Sequence, residues 1–72
     1  MTVSYKKLFK LLIDRDMKKK ALQEAAGLSP ASMAKLSKHQ HVSMEVLIKV
    51  CTALNVDFGD IMELVPDDSA KE

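Results

Sequence analysis

With 72 residues, 47% hydrophobic and 29% charged, two glycines, two prolines and one cysteine, the chain is one domain near the smallest size that buries a self-sufficient core. Leu, Lys, Ala, Met and Glu are abundant and favour helix over strand, so an all-α fold is expected. A lone Cys51 excludes an internal disulfide, and no apolar run reaches the roughly 18 residues of a membrane span. Met1–Tyr5 leads into a charged amphipathic stretch rather than a signal peptide, so a cytoplasmic protein making no membrane contact is expected.

The net charge of +1 hides an asymmetry. Residues 1–41 carry nine Lys or Arg against Asp14, Asp16 and Glu24, a balance of +6; residues 42–72 carry Lys49 and Lys71 against seven acids, a balance of −5. Such a dipolar domain can turn a basic side toward a polyanion.

In chain order, Ser4 to Asp14 reads as a first helix, because Tyr5, Leu8, Phe9 and Leu12 fill the i, i+3, i+4, i+7 template while Lys6, Lys7 and Lys10 stay outside it. Met17 packs back, and Lys18 or Lys19 opens a second helix that lasts to Ala26. Gly27 follows, suited to the left-handed conformation at a helix C-terminus, and Leu28 turns inward. Ser29 is an N-cap and Pro30 suits the first helical position, where a missing donor costs nothing; this third helix runs to about Lys38. His39-Gln40-His41 is a polar connection with Val42 plugging the core beneath it. Ser43 caps a fourth helix with the stripe Met44, Leu47, Val50, Cys51 and Leu54, and Glu45 sits in its favourable first turn. Asn55 suits the C-cap, and Asp57 caps a fifth helix from Phe58 to about Leu64, stopped by Pro66. Residues 67–72 form a flexible acidic tail with nothing to bury, which leaves 1–66 as the domain.

The expected core is Leu8, Leu12, Leu22, Ala26, Leu28, Met33, Leu36, Leu47, Val50, Leu54, Val56 and Ile61. Phe9, Ile13, Phe58, Met62, Leu64 and Val65 are surplus to it, and some of them are expected to form a dimer seam. Catalytic and metal chemistry find little support. His39 and His41 lack the cysteines or placed acids of a zinc site, and Cys51 is hemmed in by Leu47, Val50 and Leu54 instead of standing beside a base. No enzyme activity, cofactor, metal or small-molecule substrate is expected.

Two short helices meeting at the Gly27–Ser29 turn make a helix-turn-helix, which points to double-stranded DNA. The order KKKALQEAAGLSPASMAKL, HQHVS, VLIKVCTALNVDFGDIMEL, with LxxAxGLSxxSMxKL and LxKVCxALNVxxxDI inside it, resembles the Cro and phage-repressor (Xre-type) DNA-binding domain over about residues 5 to 65. The resemblance implies a five-helix lambda-repressor-like domain that sets its third helix in the major groove, usually as a dimer on a symmetric operator, and regulates transcription, here as a repressor. It also implies phosphate contact at Lys19. Gln23 departs from the family's usual small residue after the first motif leucine. His39 stands where glycine commonly follows the third helix.

The expected DNA-binding residues are Lys18, Lys19, Ser29, Pro30, Ala31, Ser32, Lys35, Lys38 and His39. Lys35 is the candidate for a guanine edge, Ala31 for a thymine methyl, and Ser32 for a base or phosphate. Regulation is expected to come from the protein's own concentration, a regulatory protein partner or a modification. Pro30-Ala31-Ser32 has little hydrogen-bonding reach, which supports a second reading: an interaction or antitoxin-like module that keeps the fold with weak or no DNA reading.

Overall fold

The computed structural model describes residues 1–66; the tail expected at 67–72 lies outside the described residues. Four α-helices, α1 (Lys6–Asp14), α2 (Lys19–Ala26), α3 (Pro30–Ser37) and α4 (Met44–Leu54), lie between two three-residue strands, β1 (Thr2–Ser4) and β2 (Glu63–Val65). The strands pair antiparallel, with Thr2 opposite Val65, Val3 opposite Leu64 and Ser4 opposite Glu63.

Two expectations are corrected at the chain ends. The fifth helix is a single 3-10 turn, Phe58–Asp60, followed by β2. Asp57 accepts the Phe58 amide at 2.7 Å and Asp60 Oδ2 accepts the Asp57 amide at 3.0 Å, so the cap closes one turn. Beyond Ile61 the backbone is extended and pairs with β1, an arrangement that takes Glu63 and Leu64 out of the expected helix. The first helix starts at Lys6, because Ser4 is taken into β1 and its hydroxyl accepts the Lys6 amide at 3.3 Å. The fold is therefore helical with a two-stranded clasp.

All four helices close in the same way. Asp16, Gly27, His39 and Asn55 follow their helices with φ between 53 and 67°. The next amide in each case, from Met17, Leu28, Gln40 and Val56, bonds back five residues to Leu12, Gln23, Lys35 and Cys51 at 2.8 to 3.0 Å. This closure satisfies end carbonyls and calls for an apolar residue at the donor position to pack on the last turn. Met17, Leu28 and Val56 do so, packing in or against the core.

Gln40 is the polar member of that set, and its corner is held from outside. Tyr5, only 2% exposed, donates its hydroxyl to the Gln40 carbonyl at 2.9 Å and its amide to His39 Nδ1 at 3.0 Å. Its ring stacks on the His39 imidazole with 6.1 Å between centroids and 9° between planes. The start of α1 is thereby tied to the end of α3. The left-handed conformation that disfavours histidine is offset by these contacts.

The core consists of Tyr5, Leu8, Leu12, Leu22, Leu28, Met33, Leu36, Leu47, Val50, Leu54 and Ile61. Ala26 and Val56, expected inside, are half-buried at its edge. Of the surplus apolar residues, Phe9, Phe58 and Met62 pack on the core and Val65 is half-buried, while Ile13 and Leu64 remain 77% and 67% exposed. Three of the six are thus largely used up within the monomer.

A Cβ on Gly27 would meet no atom within 4 Å, so Gly27→Ala tests the left-handed backbone alone. It should lower stability by about 1–2 kcal/mol in urea denaturation. Tyr5→Phe should cost about 1 kcal/mol by removing one hydrogen bond, and His39→Ala about 1–3 kcal/mol by leaving the Tyr5 amide unpaired. Burial holds the Tyr5 phenol above its ordinary value of 10.0. Since the raised group favours the protonated phenol in the folded state, its contribution is complete below pH 10 and lost as pH rises through the folded value. Denaturation midpoints measured from neutral pH upward should fall more steeply above pH 10 in the parent than in Tyr5→Phe.

Candidate nucleic-acid interface

α3 separates its residues cleanly. Met33 and Leu36 are buried, while Pro30, Ala31, Ala34 and Lys35, and Lys38 at its C-cap, are exposed. Ala31, Ala34, Lys35 and Lys38 fall at i, i+3, i+4 and i+7, one outward face of the helix. Its N-terminal half carries only short side chains, so nothing holds an approaching surface away from the backbone, and its C-terminal half carries two long cations. Ala34 belongs to this face and was not among the residues expected from sequence, although its three-residue spacing from Ala31 marks it.

Ser29 caps α3 by accepting the Ser32 amide at 3.2 Å, and the two hydroxyls lie 3.1 Å apart. Ser29 is thus committed to the helix end. Ser32, receiving the Ser29 hydroxyl, retains its own proton for an outside acceptor.

The start of α2 lacks such a cap. Lys18 occupies the N-cap with extended backbone and contributes no side-chain hydrogen bond, and no acid stands in the first turn. Its leading amides are left for an external acceptor beside exposed Lys18, Lys19 and Lys20, an arrangement that suits an anion. Lys19 Nζ lies 4.7 Å from the centroid of the Phe9 ring, a cation–π contact that holds the ammonium in place.

Phe9 in turn meets His39 edge-on at 6.3 Å. The series Lys19, Phe9, His39, Tyr5 therefore brings the beginning of α2 next to the corner following α3. His39 stands apart from the other expected site residues, because Nδ1 and one ring face are engaged with Tyr5; its role visible in the structure is to fix the corner that carries Lys38, Gln40 and His41. Not every cation of the basic half faces this region. Lys7 Nζ donates to the Gly59 carbonyl at 3.1 Å and Arg15 Nη1 to the Leu54 carbonyl at 2.6 Å, tying α1 and its end to the C-terminal elements.

Cys51 is half-buried, and its thiol is pushed above its ordinary range by burial first, then by the carboxylates of Asp57 and Asp60. That keeps the sulfur protonated, the opposite of what a nucleophile needs. Among the described residues no helix is long and apolar enough to cross a membrane.

This geometry agrees with the comparisons. A crystal structure described as the transcriptional regulator VanUg, Form II, is 57% identical to the chain, with a TM-score of 0.88 over 92% of this chain and 88% of that one. A search of curated proteins finds no match. The family model for the Cro/C1-type helix-turn-helix DNA-binding domain matches residues 7–67, nearly the whole chain, including both short helices, the Gly27 turn and the uncapped lysine-rich start of α2. The chain belongs to the Cro/C1-type helix-turn-helix DNA-binding domain family.

Proposed function

We propose that the protein is a sequence-specific transcriptional regulator, acting as a repressor, that lays the outward face of α3 in the major groove of duplex DNA and binds two half-sites as a homodimer. One observation carries this reading: a helix face of short side chains ending in Lys35 and Lys38, beside an uncapped helix start bearing Lys18, Lys19 and Lys20. Ala31 and Ala34 admit the helix close to the base edges, where an alanine methyl contacts thymine. Lys35, in the last turn of α3, reaches a guanine edge, and Ser32 donates to a base or phosphate. The amides at the start of α2 and Lys19 clamp a phosphate on one side of the groove. Lys38 takes the backbone on the other side. Phosphate contacts set the register and the base contacts select sequence, so few base contacts from α3 make a second subunit valuable: two recognition helices about 34 Å apart span one turn of B-DNA and multiply a modest affinity.

Lys35→Ala should weaken binding to a selected operator by about 1–3 kcal/mol and relax preference at one base pair. Lys19→Ala should weaken all duplexes alike and reduce the slope of log K against log salt by about one. Both are read by fluorescence anisotropy titrations across salt concentrations, on operator and on random duplex. Parent-like affinity in both variants, or a salt-independent parent, would reject the assignment.

A further inference from the structure

α4 turns Leu47, Val50 and Leu54 into the core, yet carries a second apolar strip outside. Met44 is 58% exposed and Ile48 52% exposed, one turn apart, and beyond them an open groove runs past Cys51 and Thr52 to Phe58. Glu45 and Lys49 are also exposed. Each follows a member of the strip by one residue, so both stand about 100° round the helix from it, on the same flank and one turn from each other.

Opposite charges arranged in this way complement themselves under a twofold rotation. In an antiparallel pairing of two α4 helices with the axis at the level of Leu47, midway between Glu45 and Lys49, like flanks face each other. Glu45 of each copy then meets Lys49 of the other, twice over. The same axis sets Ile48 of one copy between the levels of Met44 and Ile48 of the other, so the apolar strips interleave rather than collide. A single patch that supplies both halves of its own complement is what a twofold interface requires.

We propose that the outer face of α4 is the seam of a homodimer, with a second copy of this chain as its occupant and the reciprocal Glu45–Lys49 pairs setting its register. The inference rests on the reading of the protein as a dimeric DNA-binding regulator and assigns the face that dimer uses.

Charge exchange tests it, followed by sedimentation equilibrium of the full chain with circular dichroism melts to confirm folding. Glu45→Lys and Lys49→Glu each turn two attractions into two repulsions and should weaken self-association about tenfold. Mixing the two single variants places lysines on one flank and glutamates on the other, and the heterodimer should form at least as tightly as the parent dimer. The doubly exchanged chain, Glu45→Lys with Lys49→Glu, should return to parent-like association, although it keeps whatever helix-end penalty Glu45→Lys introduces. Single variants that self-associate like the parent, a mixture no tighter than its components, or a parent that remains monomeric at hundreds of micromolar would each overturn the seam. Binding of the same samples to random duplex across salt concentrations reports separately on the DNA-binding reading: salt-sensitive binding that persists with a failed seam leaves that reading standing, and its absence from the parent removes it.

Discussion

Tyr5 donates twice to the corner that follows α3, once from its backbone amide to His39 Nδ1 and once from its hydroxyl to the Gln40 carbonyl. The outward helix of a helix-turn-helix must be held rigidly by its inward side, yet in a chain of this size that side offers only Met33 and Leu36 to the core. The remaining constraint comes from the corner. With Tyr5 buried at the junction of β1 and α1, and β1 paired to β2, the strand pair and Tyr5 together brace the corner that follows α3.

The same economy runs through the helix ends. Each α-helix stops on a left-handed residue and a backbone bond reaching five residues back, and in three of the four the donor residue also packs as an apolar plug. At α3 the plug is replaced by Tyr5, acting from the N-cap of α1. That substitution explains how His39 occupies a conformation glycine would take at less cost: the imidazole returns a hydrogen-bond acceptor, a stacking surface for Tyr5 and an edge contact for Phe9. Phe9 then supports Lys19, so one aromatic cluster orders both ends of the basic surface.

Charge is divided between two tasks. Lys7 and Arg15 satisfy carbonyls of the C-terminal elements, where a cation near exposed helix-end carbonyls is favourable. Lys18, Lys19, Lys20, Lys35 and Lys38 remain exposed on and beside the helix-turn-helix. The basic excess of residues 1–41 is therefore larger than the share that faces outward around α3.

Much of this was legible in the residues themselves. Gly27, Ser29-Pro30, Ser43 and Asn55 mark helix ends because each meets a local requirement of backbone geometry or capping, and the 3.6-residue periodicity of α1 and α4 names most of the core. The outward face of α3 follows from the same spacing. Tertiary structure alone decided that Phe58–Val65 becomes one turn and a strand, since a three-residue strand exists only through a partner about sixty residues away and leaves no periodic signature of its own. It also decided the direction of His39, which composition places in a polar connection and which an amide 34 residues distant draws inward. Local chemistry writes where helices begin and end; pairing between distant segments, whose benefit appears only once the loop between them is closed, determines what Thr2–Ser4 and Glu63–Val65 become.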